Sequence, residues 1–313
     1  MKKILLIGSG KMGSIHRRVL NNSSLGSIEV VVDNKFKEDY KIADGVHLFK
    51  NFSDFKKSNI IIDGAIIASP TNSHFKISKD LLKLKIPVLI EKPISLNFKQ
   101  TTELLDYSIK QQTILRCGLI EIYNPMFEFI KKNTLTDIIS IHIFRQSPKL
   151  IDSKIPGDVV SDLTLHDISV LFSVFDMRKV NLIGSNAIKV DNLIETVDCL
   201  FKFNNISVFV SSSRQSQVKT RLWRIQTSDK LYLLDLIKKE IQIYELGTSE
   251  FINNNLVDQK NRTSIISFSN YEETASIQIK EFLMNLERKK IDLDHLKIIR
   301  NSHDLVSKII KLN

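Results

Sequence analysis

The 313-residue chain has little cysteine, proline or tryptophan, with two, six and one of them respectively. Two cysteines cannot build a disulfide framework. Cys117 and Cys199 sit in apolar, strand-like segments without metal-ligand spacing, so both read as core residues of a protein kept in a reducing cytoplasm. No apolar run is long enough to span a bilayer, so no membrane partner is expected. Lys2, Lys3 and Ile4 to Ile7 faintly resemble a secretory leader, but the apolar stretch is short and runs straight into a glycine turn. The histidines His16, His47, His142, His295 and His303 are scattered, so no metal site is expected and they read as surface or core residues. Repeats and low-complexity linkers are absent.

What is present is ample core material, 42% hydrophobic residues, in a chain longer than one typical domain. Lys and Arg outnumber Asp and Glu by 45 to 35, giving a formal charge of +10, yet the lysines are scattered rather than gathered on a face, and no nucleic-acid partner is expected. The densest basic stretch, Arg214, Lys219, Arg221 and Arg224, falls on strands of the second half. Alternation there puts Lys219 and Arg221 on one face, where they could meet an anionic substrate.

Gly8, Gly10 and Gly13 follow the short apolar run Ile4 to Ile7. That spacing suits a dinucleotide turn: the first glycine allows a tight bend, the second leaves room for a pyrophosphate, and the third lets a helix press against the strand. Lys11 to Leu20 carries apolar residues at helical spacing, and Ile28 to Val32 forms a second strand ending on Asp33. A carboxylate there can grip the adenosine ribose and repel a 2′-phosphate, which favours NAD, although Lys35 and Lys37 leave NADP possible. An ordinary strand-end aspartate would look the same in isolation.

Helix at Asn51 to Lys57, strand at Asp63 to Ala68, helix at Ser73 to Leu84, strand at Pro87 to Ile90, helix at Asn97 to Gln111 and strand at Ile114 to Gly118 complete a doubly wound α/β pattern. Ile138 to Arg145, Asn181 to Val190, Thr196 to Phe203, Ser207 to Ser213, Arg221 to Thr227 and Ile241 to Glu245 then read as a mostly antiparallel sheet. Helices at Val160 to Val174, Glu272 to Arg288 and His295 to Leu312 back it. The expected architecture is a Rossmann doubly wound parallel sheet over residues 1–119, followed by an α+β domain with an open antiparallel sheet over residues 120–313 that binds substrate and oligomerises. A substrate cleft between two such domains is the usual arrangement. The uncovered sheet face would suit a homodimer or homotetramer.

Three further segments can carry chemistry: Glu91-Lys92-Pro93 at a strand end, Tyr123-Asn124-Pro125 at the domain crossover, and Asp162 with His166, four apart on one helix face. Each has a bland reading as well. A pair at that spacing is common by chance, Asp162 suits a helix N-terminus, Lys92 suits a solvated strand end, and Asn72 or Ser73 could cap a helix.

Taken in order, the glycine turn, Ala68-Ser69-Pro70-Thr71-Asn72-Ser73-His74, Glu91-Lys92-Pro93 and Asp162 with His166 resemble the glucose-fructose oxidoreductase and inositol dehydrogenase (Gfo/Idh/MocA) family over nearly the whole chain. Gly118 to Pro125 and Gly157-Asp158-Val159 are similar to its UDP-N-acetylglucosamine 3-dehydrogenase branch, which usually carries an arginine where Ile122 stands. The resemblance implies a catalytic group of Lys92, Asp162 and His166, a substrate pocket that adds Tyr123 and Asn124, and a cofactor site of Gly8, Gly10, Lys11, Met12, Gly13, Asp33, Ser69, Pro70, Asn72, His74, Glu91 and Lys92. It further implies a cis bond at Lys92-Pro93. The implied activity is hydride transfer between a nicotinamide and a secondary hydroxyl of a sugar or nucleotide sugar. A dinucleotide-sensing regulator without catalysis, and a reductase of a non-sugar carbonyl or imine, are the alternatives.

Overall fold

The apolar run after Lys2 becomes β1 (Lys2–Ile7), buried from Ile4 onward, in a computed structural model that describes residues 1–36, 45–133, 137–148, 157–175, 180–245, 247, 249–252, 255–258 and 262–313. Lys37 lies outside the described residues. After β1 come α1 (Lys11–Asn21), β2 (Gly26–Val32), β3 (His47–Phe49), α2 (Phe52–Lys57), β4 (Gly64–Ile67), α3 (Thr71–Lys83), β5 (Val88–Ile90), α4 (Phe98–Gln111) and β6 (Leu115–Cys117). The six strands pair in the order β3-β2-β1-β4-β5-β6, all parallel. This is the doubly wound order, which places loops at the strand C-termini where nucleotides bind. The sequence reading missed β3, a largely exposed edge strand whose three residues are too few to display a period.

A 3₁₀ turn (Ile120–Tyr123) leads into α5 (Pro125–Lys132), β7 (Ile138–Pro148), a π-helical turn (Val160–Thr164) and α6 (Leu165–Val174). The strands β8 (Val180–Val190), β9 (Leu193–Phe203), β10 (Ile206–Ser216), β11 (Thr220–Thr227), β12 (Lys230–Asp235) and β13 (Glu240–Glu245) follow, then the hairpin β14 (Ser249–Ile252) and β15 (Asn255–Asp258), then β16 (Arg262–Ser267). Seven of them join β7 in one eight-stranded sheet in the order β16-β13-β12-β11-β7-β10-β9-β8. Its neighbours are antiparallel except β7 and β10. The mostly antiparallel expectation therefore holds. The strands β12 and β16 and the helix α5 went unread.

The chain ends with α7 (Thr274–Arg288) and α8 (Leu293–Leu312). The sequence reading assigned both helices to the second domain, and the structure divides the chain differently. Met1–Ile120 and Glu272–Ser307 form one unit, and Glu121–Tyr271 with Lys308–Asn313 the other. The reason is burial: Ala275, Ile279, Phe282, Leu283 and Leu286 of α7 share a core cluster with Ile4 and Leu6 of β1 and Val31 of β2. At about 25 cal/mol per Å2 of apolar surface removed from water, such a stripe outweighs proximity in sequence. In the second unit Phe127 of α5 meets Trp223 of β11 edge-on, centroids 4.7 Å apart. Cys117 and Cys199 are free and buried, as expected of core residues. Among the described residues no helix is long and apolar enough to cross a membrane, and no group of three or more His, Cys, Asp or Glu could hold a metal.

Candidate active site

In the glycine turn, the three glycines have different physical reasons. Gly8 has φ +94°, and a Cβ there would meet Ala68 O and Ser69 N at 2.6 Å; a Cβ on Gly13 would collide with Gly8 O. Both are demanded by the fold. Gly10 is not: it caps α1, and a Cβ on it would meet nothing within 4 Å. The space before it is open. No side chain caps α1, its first turn carries no acidic residue, and the buried Ser9 Oγ has no hydrogen-bond partner among the described residues. A helix N-terminus with bare N–H groups, an open approach and an orphaned hydroxyl fits a diphosphate. Asp33 accepts from Ser9 N–H at 2.6 Å through Oδ2 and from Lys35 N–H at 2.8 Å through Oδ1, so it braces the turn. The remaining lone pairs of both oxygens leave capacity for a ribose.

Beyond β4, Ser69 and Ser73 share a hydroxyl hydrogen bond of 2.6 Å, and Ser73 Oγ donates to Pro70 O at 2.7 Å. Pro70 is the N-cap of α3 and no side chain caps it, so Asn72 stands exposed in the first turn. His74 is buried, with Nε2 2.7 Å from Ser69 O and Nδ1 3.0 Å from Pro93 O. Burial holds its pKa below the ordinary histidine value against the two carbonyls that raise it. Both ring nitrogens thus face backbone carbonyls, and the single N–H of the neutral imidazole donates to one of them, with the ring lodged between the Ser69 and Lys92 segments. Glu91 is buried too, and its Oε1 lies 2.7 Å from His16 Nε2. Lys92-Pro93 is cis, as the resemblance implied. Lys92 therefore lies between two residues that are anchored from behind.

In the second unit, Asp162 lies in the π-helical turn and His166 in the first turn of α6. At either helical pitch a four-residue step returns to the same face. Asp162 Oδ2 is 3.6 Å from Arg214 Nη1, and Arg214 also forks onto Glu195 at 2.9 and 3.0 Å and donates to Gly157 O. The residue after His166, Asp167, is fully buried and receives a two-pronged hydrogen bond from Arg145, at 2.6 and 2.8 Å. Arg145 further donates to Glu121 at 3.0 Å, and Trp223 Nε1 donates to Asp167 at 3.1 Å. Burial lowers the guanidinium's pKa, but the two carboxylates overcome it and hold it above its usual range. For Asp167 burial wins and raises its pKa, because two carboxylates share one cation.

Residues 2–119 match the model of an oxidoreductase family with an NAD-binding Rossmann fold, named Gfo/Idh/MocA. Residues 2–119 are thus similar to the NAD-binding Rossmann domain of that oxidoreductase family. A UDP-N-acetylglucosamine 3-dehydrogenase from Acidithiobacillus ferrooxidans is 20% identical over 243 residues, 77% of this chain and 76% of that one. A myo-inositol 2-dehydrogenase from Thermotoga maritima is 22% identical over 204 residues, 61% and 60% of the two chains. The solved structure of the Acidithiobacillus enzyme covers 99% of this chain and 97% of its own at a TM-score of 0.83 and 16% identity. A 3-ketoreductase from Actinomadura kijaniata with NADP and TDP-benzene gives 0.82 at 11% identity, covering 99% and 97%. These likenesses show that the two-unit fold is shared.

The structure revises several sequence expectations. His74 and Glu91 were expected at the cofactor, but their side chains are buried and engaged with the chain. Asn124 was expected to line the pocket; its Oδ1 accepts from Met126 N–H at 3.1 Å and caps α5, whose first residue is Pro125. That Asn-Pro step was a legible helix start. Asn72 caps nothing. Lys219 precedes β11 and is exposed, while Arg214 is buried in ion pairs rather than offered to solvent. His16, set aside as an ordinary histidine, turns out to hold Glu91. Ser9, between two glycines, was not singled out, and its position inside the turn was the available signal.

Proposed function

We propose that the chain is an NAD-dependent dehydrogenase acting on a secondary hydroxyl of a sugar or nucleotide sugar. The observation that carries the reading is the unfilled approach to Gly10 at an uncapped, acid-free helix N-terminus beside Asp33. The nicotinamide, when bound, takes up or returns the hydride. Lys11, Met12 and Gly13 N–H groups would hold the diphosphate, and Asp33 the adenosine ribose, which favours NAD over NADP. Ser69, Pro70 and Asn72 border the same strand-end edge.

Lys92, Asp162 and His166 are the proposed catalytic group. Lys92 donates a hydrogen bond to the reacting oxygen and stabilises its developing negative charge. His166 receives the hydroxyl proton, and Asp162 orients the substrate or steadies the imidazolium. Tyr123 completes the sugar contacts. The sugar and nucleotide-sugar enzymes among the similar proteins support this class of substrate.

Lys92→Ala and His166→Ala are the test. Each should lower turnover by at least about 100-fold, the scale of a lost proton-transfer group, while NAD binding followed by fluorescence changes less than about twofold. Turnover unchanged in either variant overturns that residue's role. Oxidation that proceeds faster with NADP than with NAD would overturn the assignment to Asp33.

A further inference from the structure

Three arginines share one face of the large sheet, two of them in a single cross-strand row. Arg221 of β11 stands directly opposite Arg145 of β7, which in turn stands opposite Ser212 of β10, two residues before Arg214. Arg221 shares its strand face with the buried Trp223, so it belongs to the face covered by α5 and α6, not to the outer one. Arg145 is consumed by Asp167 and Glu121, and Arg214 by Glu195 and Asp162. The half-buried Arg221 guanidinium makes no hydrogen bond or ion pair among the described residues.

This is an expensive arrangement for stability alone. Like charges directly opposite on an antiparallel ladder repel, and a partly desolvated cation without a hydrogen-bonded partner costs free energy. Burial and Arg145 together hold the Arg221 pKa below the ordinary arginine range, against the milder opposing pull of Glu121, Asp167 and Asp162. Ser212 Oγ, fully buried in the same row, also lacks a hydrogen-bond partner among the described residues. A charge kept at a cost to the fold, close to Asp162, calls for a ligand.

We propose that Arg221 is the oxyanion-recognising residue of the substrate pocket, and that the sugar substrate carries a carboxylate or a phosphate. Planar guanidinium forks match both groups. The word substrate rests on the dehydrogenase reading; the anion site does not.

The experiment titrates glucose, glucuronate and UDP-glucose into the full chain and into Arg221→Gln and Arg221→Lys by calorimetry at fixed salt, with the cofactor present. At least one anionic probe should bind the unaltered chain tenfold or more tightly than glucose. Arg221→Gln should weaken that probe by about 10- to 100-fold, the range of one charge-assisted contact, and leave glucose unchanged. Loss confined to glucuronate identifies a carboxylate, and loss confined to UDP-glucose identifies a phosphate. Arg221→Gln should melt no lower than the unaltered chain. No preference for either anion, an equal loss for glucose, or a lowered melting temperature would each overturn the proposal. Reduced-nicotinamide absorbance separates it from the dehydrogenase reading. Anion binding that depends on Arg221 without turnover of any sugar sinks the dehydrogenase alone, and turnover with Arg221-independent binding sinks the anion site alone.

Discussion

The two units bury basic side chains with different emphasis, the first mainly through imidazoles beside one buried guanidinium, Arg116, and the second through guanidinium groups alone among the described residues. The first hides four imidazoles, His16, His74, His295 and His303, each no more than 5% exposed. Three of these complete hydrogen bonds to the backbone, with His295 accepting from Cys117 N–H, His303 from Ile94 N–H, and His74 sitting between two carbonyls. The second hides guanidinium groups, Arg145 and Arg214, each forked onto carboxylates. A parallel sheet covered by helices on both faces leaves loop ends whose N–H and C=O groups need neutral partners. The sheet of the second unit instead carries long side chains that can reach across its ladder and pin helices by charge. At His295 and His303, which accept from backbone N–H groups, the first device fails by protonation, whereas the second fails by loss of a partner.

The largest expected effect tests the charged device. Arg145→Ala leaves Asp167 and Glu121 buried without their cation and should destabilise by about 3–5 kcal/mol, read by urea denaturation. Trp223 is the only tryptophan and contacts both Asp167 and Phe127, so its fluorescence reports the second unit. A loss below about 1 kcal/mol would mean that the network is ornamental and the contrast false.

Next comes acid. Burial lowers His303 to about 4 and His295 to about 3, from 6.5 in the open chain. As pH falls below 6.5, the unfolded chain takes up protons that these folded imidazoles refuse, so stability declines until the folded values are reached. For His303 alone the total is on the order of 3 kcal/mol. Between pH 7 and 5 the unfolding midpoint by circular dichroism, which samples both units, should fall further than the midpoint by Trp223 fluorescence. Equal shifts would erase the distinction between the units. His303→Gln should shrink the acid dependence.

The smallest stability effect tests the turn. Gly10→Ala faces open space and should cost no more than about 1 kcal/mol, the scale of alanine's penalty at an N-cap, yet weaken cofactor binding measurably in a fluorescence titration. Gly13→Ala drives a methyl into Gly8 O and should fail to fold or melt far lower. An unaltered cofactor affinity in Gly10→Ala would contradict the diphosphate site.

Local pattern made much of this legible. The strands β1, β2, β4, β5 and β6 and helices α1 and α4 stand within a few residues of their expected bounds, because apolar runs, helical spacing and the Asn97 cap are encoded in adjacent residues. Short or polar elements were not: β3 has only three residues, and Asn124-Pro125 was weighed as pocket chemistry rather than as a helix start. The spacing of Ser69 to His74 likewise cannot reveal that His74 faces inward, because its burial is set by contacts outside the motif.

Sequence alone thus determined the doubly wound, parallel character of the first sheet and the mostly antiparallel character of the second. Each rests on contacts between near neighbours or on a periodicity that any stretch displays. Tertiary structure decided the partners: His16 with Glu91 across 75 residues, Ile94 with His303 across 209, Arg145 with Asp167 and Glu121, and α7 against the core of β1 and β2. It also decided that Arg221, half-buried opposite Arg145, makes no ion pair among the described residues. Pairings at such separations are chosen by packing and by competition for burial, and no local period in the chain records them.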